Sequence, residues 1–268
     1  MKGGWLRGYS FLYLLFLYAP IILLPIFAFN SSTIIAFPLQ SFTTEWFVQL
    51  TTIDALHDAV KNSLMIAVSS AILATCLGIC ASMAGSRYNF PAKRGILGFI
   101  MLPLVLPEII VAVALLVVLL RLGINLSAWT VIIGHVLICT PFCIAILNSA
   151  FQNLDPSLEE AAYDLGETRW STFRLITFPL VLPGVISSLL ISFTISLDEF
   201  IIAFFLTGTE PTLPVYLWGQ LRFPQKIPVV MALGTILVVL SILLLSIAEY
   251  YRRRGIARAG GKDTGGFL

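Results

Sequence analysis

Six apolar runs, each long enough to cross a bilayer, limit this chain more than any other feature. They fall at about 9–29, 59–84, 95–120, 128–151, 176–206 and 228–250. The hydrocarbon layer is about 30 Å thick and a helix rises about 1.5 Å per residue, so a span needs roughly 20 mostly apolar residues. Lipid offers the backbone no hydrogen-bond partner, so each run must satisfy itself as a helix. Only 11% of residues are charged, against about 25% in a soluble domain, and mean hydropathy is +0.96. The expectation is an all-α membrane protein of six transmembrane helices. The expectation is one transmembrane domain over 1–251, followed by a basic, disordered tail over 252–268. The fifth run exceeds a single span and must tilt or protrude.

The first run is long enough to remain as a membrane helix and lacks an A-x-A-like cleavage site behind it. Of the 16 Lys and Arg residues, only Lys61, Arg121, Arg222 and Lys226 fall on one side when the runs are threaded alternately. The other side holds the remainder. Cytoplasmic loops are enriched in these residues, so both termini are placed on the cytoplasmic side. Cys76, Cys80, Cys139 and Cys143 lie in apolar runs without C-x-x-C spacing and read as small residues packed between helices. His135 reads as a core histidine with its polar atoms satisfied. The sequence contains no P-loop, no H-E-x-x-H and no G-x-S-x-G, so neither a catalytic set nor a cofactor or metal is expected. The net charge of +2 gives no reason to expect nucleic acid.

The cytoplasmic connection at 152–175 is more than a turn. Asp155 can cap a helix, with Pro156 at its first position, where the missing N–H costs nothing. Leu158, Ala161, Ala162 and Leu165 share one face by helical spacing. Gly166 ends that helix, because glycine tolerates the left-handed conformation. A second short helix then carries Trp170 and Phe173. Two short amphipathic helices lying across a surface suit a groove on a partner.

Glu160-Ala161-Ala162, then Gly166, then Ile176 and Pro179, resembles the E-A-A motif of bacterial ABC importer permeases. Phe178 stands where that family usually has Leu. The resemblance implies the type I ABC importer fold, with a coupling-helix loop between helices 4 and 5 docked on a cytoplasmic ATPase homodimer. It also implies a second permease subunit, as a heterodimer, and a periplasmic binding protein. Glu160 would pair with the rim of the ATPase groove. Trp46-Phe47, Asn62-Ser63-Leu64, Leu102-Pro103 to Pro107, Ser196 to Phe200, Thr207-Gly208 and Leu213-Pro214 further resemble the C-type subunit of spermidine/putrescine permeases. Relatives for opines, phosphonates, thiamine, ferric iron or amino-acid-like solutes share much of this pattern.

Ionisable residues within a span are costly and usually functional. Glu108, Asp198 and Glu199 lie within the runs, with no Lys or Arg at similar depth. An acidic patch favours a cation, and a linear polyamine suits separated carboxylates between aromatic walls such as Phe200, Phe204 and Phe205. Consecutive helical residues point about 100° apart, so one of Asp198 and Glu199 would face the path while the other bonds a neighbouring helix. A purely structural role, bonded for instance to Ser196, is the competing reading. Trp46 reads either as an interface anchor or as a contact for substrate or binding protein. Pro103 and Pro107 predict a kink in the third run.

Overall fold

The computed structural model describes residues 3–258. Among these the secondary structure is helical: α1 (Gly3–Ala28), α2 (Glu45–Leu50), α3 (Asp54–Arg87), α4 (Lys93–Ile100), α5 (Glu108–Arg121), α6 (Ala128–Gln152), α7 (Ser157–Asp164), α8 (Arg169–Thr172), α9 (Phe178–Asp198), α10 (Ile201–Leu206), α11 (Leu213–Gln220) and α12 (Ile227–Arg258). A π-helical turn, Phe173–Thr177, joins α8 to α9. The backbone of 252–258 continues α12, and the rest of the expected tail lies outside the described residues.

Among the described residues, five helical segments are long and apolar enough to cross a membrane: Trp5–Ala28, Asp54–Arg87, Ala128–Gln152, Arg169–Asp198 and Pro224–Leu243. The third apolar run departs from the expected continuous helix. It is α4, a 3₁₀ turn at Leu102–Leu104, an extended Pro107 (ψ 130°), and then α5. Proline removes a backbone donor and pushes the residue before it out of the α region. With Pro103 and Pro107 four residues apart, the expected kink becomes a complete break. The Leu102 carbonyl accepts from the Val105 and Leu106 N–H groups at 2.9 and 3.1 Å, so the freed backbone is re-paired locally.

The fifth run also breaks, in this case with neither Gly nor Pro at the break. Its helix stops at Asp198, Glu199 is extended (ψ 119°), and α10 restarts at Ile201. The Glu199 carboxylate accepts the Ile202 N–H at 2.8 Å, capping the new helix. A side chain that satisfies an orphan N–H offers the backbone an alternative to the continuous ladder.

The chain divides into two compact units, Met1–Asp54 with Leu217–Leu268, and Ala55–Tyr216. In the first, α1 packs on α12 and α2 packs on α12. In the second, α6 is central, packed against α9, α10 and α5. Beyond Leu56 and Ile66, the buried face of α3 is made of small residues, among them Ala67, Ser70, Ala71, Ala74, Thr75, Gly78 and Ser82. Small residues of this kind let helix backbones approach closely where lipid supplies no hydrophobic drive. A Cβ on Gly78 would stand 2.6 Å from the Cys143 Cβ, so α3 meets α6 there backbone to backbone. Cys139 and Cys143 are buried as expected, whereas Cys76 and Cys80 are exposed on the other side of α3.

Candidate functional site: a coupling loop and two interrupted spans

In the loop, the Asp155 carboxylate accepts the Ser157 N–H at 3.0 Å at the start of α7. That backbone donor holds the Asp155 carboxyl below its ordinary range. Gly166 takes φ +87° just past α7, where an L side chain would be strained. The Thr168 hydroxyl accepts the Ser171 N–H at 3.2 Å and starts α8.

Most of the apolar face of α7 is turned away from the rest of the chain. Glu159 and Ala162 are the buried residues of the helix, while Glu160, Ala161, Leu158 and Leu165 are exposed, Leu165 by 86%. Trp170 is likewise exposed and stacks on Phe173 with centroids 5.8 Å apart. Ile176 is half-buried in the π-turn and Pro179 is exposed in the first turn of α9. Glu159, the immediate neighbour of Glu160, does not stand out in the sequence. Its Oε2 lies 2.7 Å from the Arg87 Nε, and its Oε1 accepts the Thr177 hydroxyl at 2.7 Å. Arg87 also donates to the Leu154 carbonyl at 3.2 Å. The available signal was Arg87 in the last turn of α3 and two glutamates in the first turn of α7. Each charge suits the helix end that carries it.

The acidic residues of the spans gather at the two breaks. Glu108 stands at the head of α5 and Glu199 at the head of α10. The helices that these two residues head, α5 and α10, pack against each other. Glu108 and Asp198 are exposed and Glu199 is 8% exposed. Phe200, Phe204 and Phe205 follow, with successive ring centroids 5.5 Å apart. Ser196 is buried and its hydroxyl meets the His135 Nδ1 at 2.6 Å, not Glu199. The His135 Nε2 has no partner among the described residues, so this histidine is only half satisfied. Trp46 belongs to the first unit, where its indole N–H donates to the Asn30 carbonyl at 2.8 Å. A groove of about 680 Å³ lies beside the third-run break. Its lining, including Phe99, Pro103, Leu106 and Val136, is almost wholly apolar and contains neither Glu108 nor Glu199.

Residues 74–256 match the family described as the binding-protein-dependent transport system inner membrane component. The chain belongs to that family. The permease is 35% identical to the spermidine/putrescine transport system permease protein PotC of Shigella flexneri, over 99% of this chain and 97% of that protein. It is also 35% identical to the putrescine transport system permease protein PotI of Escherichia coli K12, over 91% and 92% of the two chains. A solved bacterial ABC transporter involved in the import of the acidic polysaccharide alginate superposes with a TM-score of 0.70. The superposition covers 94% of the permease and 98% of that chain at 16% identity. At that identity the likeness speaks for the fold, which is the type I ABC importer permease fold. The permease is therefore a multi-pass inner-membrane subunit of an ABC importer, and its family is one of transport subunits, not enzymes.

Proposed function

We propose that this permease forms the translocation path for a polyamine, delivered by an extracytoplasmic binding protein and driven by a pair of partner ATPase subunits. A second, distinct permease subunit completes the path. Both termini and the α7–α8 loop lie in the cytoplasm, which the distribution of Lys and Arg supports. The exposed face of that loop, with Glu160 and Ala161 beside Leu158 and Leu165, enters the ATPase groove. Ala162 packs the helix down, Gly166 makes the turn, and Ile176 and Pro179 carry the loop into the fifth span.

The observation that carries the cationic substrate is the placement of Glu108 and Glu199 at the heads of two interrupted spans whose helices pack together. Non-helical backbone at membrane depth is tolerated where it is covered by protein or lines a cavity. Interrupted helices commonly turn their positive N-terminal ends toward an anionic substrate. Here the chain places its own carboxylates at both heads, which reverses the preference and favours an ammonium. Exposed Asp198 adds a third carboxylate, and Phe200 and Phe204 offer faces to a cation and its methylene chain. Ser196 supports the path indirectly through His135, and Trp46 fixes its own outer segment.

The test is uptake of radiolabelled putrescine and spermidine by proteoliposomes holding the full complex. Glu108→Gln or Glu199→Gln should lower uptake at least about tenfold, the factor that 1.4 kcal/mol of lost pairing gives. Assembly should stay intact. Glu160→Ala should leave ATP hydrolysis running without transport. Failure of any polyamine to enter, while hydrolysis responds to a binding protein loaded with another solute, would end the polyamine reading and leave the importer standing.

A further inference from the structure

We propose that Arg87, Glu159 and Thr177 form the joint through which displacement of α7 is delivered to the spans, with Glu159 as its central positioning residue. This rests on the reading of α7 and α8 as the ATPase-docking loop and assigns the transmission step within this chain. Glu160 faces outward and is exposed, while Glu159 faces inward and is almost fully buried. Adjacent helical residues point about 100° apart, so one short helix presents one carboxylate to a partner and the other to its own spans.

The inward carboxylate has both oxygens engaged, on two different spans. Oε2 takes the Arg87 guanidinium in the last turn of α3. Oε1 takes the Thr177 hydroxyl in the π-turn at the foot of α9. Arg87 reaches on to the Leu154 carbonyl, just ahead of α7, so the guanidinium holds the loop at two points. Among the described residues, no other side-chain hydrogen bond ties α7 to a span.

Charge-assisted bonds of this kind are short and directional, so they transmit displacement better than apolar packing, which can slide. The ion pair is 15% and 10% exposed on its two sides, so solvent screens it little. The π-turn supplies the remaining geometry. One extra residue per turn rotates the succeeding helix by about 100° relative to a continuous α-helix, and such turns recur at functional positions. Here the turn ends on Thr177, which is buried and aimed at Glu159. A push on α7 therefore reaches the foot of α9 and the end of α3 through one carboxylate.

The test uses the full complex with its ATPase. The readout is the change in hydrogen exchange across α3 and α9 between the nucleotide-free and ATP–vanadate states, which needs no transported solute. The variants are Glu159→Gln, Thr177→Val, Arg87→Ala and the conservative Arg87→Lys. In the first three the ATPase should still co-purify, while the nucleotide-driven change in α3 and α9 shrinks at least about fivefold, the scale of ordinary inter-site coupling. Arg87→Lys should keep most of it, and Glu159→Gln with Arg87→Ala should be no worse than either alone.

An undiminished change in Glu159→Gln and Thr177→Val would overturn the joint. So would a wild-type complex whose α3 and α9 ignore nucleotide. Loss of the ATPase from both variants would reduce the cluster to a folding element and overturn it too. Leu165→Arg, on the exposed face away from the joint, tests the docking reading itself and should release the ATPase. If it does not, the docking reading falls and the joint with it. If Leu165→Arg releases the ATPase while the joint variants respond like wild type, only the joint falls.

Discussion

The Nδ1 of His135 lies 2.6 Å from the Ser196 hydroxyl, both groups fully or almost fully buried where α6 packs on α9. Two polar groups inside adjoining spans hold each other there, and neither can turn to water. Ser196→Ala removes one partner and leaves the imidazole with no side-chain partner on either nitrogen among the described residues. The expected loss is about 1–2 kcal/mol, since buried orphaned groups cost about that much and interhelical bonds in membranes rarely exceed it. Thermal unfolding of the detergent-solubilised permease should register it. Ser196→Thr, which keeps the hydroxyl, should lie closer to wild type.

Gly78 tests the close approach of α3 and α6. A methyl group there meets the Cys143 Cβ at 2.6 Å and its carbonyl carbon at 3.3 Å, neither of which can swing away. Gly78→Ala should therefore destabilise by about 1–3 kcal/mol, the usual cost of overpacking. Gly95→Ala, where no atom lies within 4 Å, should be neutral or slightly stabilising. Melting temperatures of the two variants, measured side by side, decide this.

The turn after α7 depends on the φ of +87° at Gly166. A residue with a Cβ costs about 1–2 kcal/mol in the left-handed region, and a β-branched one more. Asn is tolerated there better than most. Uptake and ATPase retention should fall in the order Gly166, Gly166→Asn, Gly166→Val. Equal behaviour of the two variants would remove the backbone argument.

The start of α7 should loosen in acid. The Ser157 N–H keeps the Asp155 carboxyl ionised to lower pH than in an unfolded chain. A carboxylate with a depressed folded pKa contributes stability that is fully present above the unfolded value, about 3.9, and is lost as pH falls through the folded value. Exchange protection of the amides at the start of α7 should therefore hold above about pH 4 and decay below it. Asp155→Asn should flatten that pH dependence. Hydrogen exchange of the peptide covering 152–168, followed from neutral pH downward, is the measurement.

The spans and the loop were legible in the sequence because each leaves a local mark. Apolar length sets the spans, Asp155 and Gly166 bracket α7, and the E-A-A spacing marks the family. The break at Pro103 and Pro107 was half legible, since proline announces trouble in a helix but not whether the helix bends or stops. The break at Glu199 was not. Nothing in Ser196-Leu197-Asp198-Glu199-Phe200 is a helix breaker, and the interruption comes from a glutamate choosing the Ile202 N–H. Periodicity placed Leu158, Ala161, Ala162 and Leu165 on one face of α7, and all but Ala162 are exposed.

By itself, then, the sequence determined the class, the length and order of the apolar segments, and the loop that marks the family. These follow from burial, backbone pairing and turn chemistry, which act over a few neighbouring residues. Tertiary structure alone decided which charges meet. Arg87 and Glu159 are 72 residues apart and His135 and Ser196 are 61 apart, and the helices headed by Glu108 and Glu199 come together only because α10 packs on α5. Pairings over such separations depend on how helices rotate and pack against one another. A one-dimensional pattern carries the faces of each helix but not the partner that each face will find.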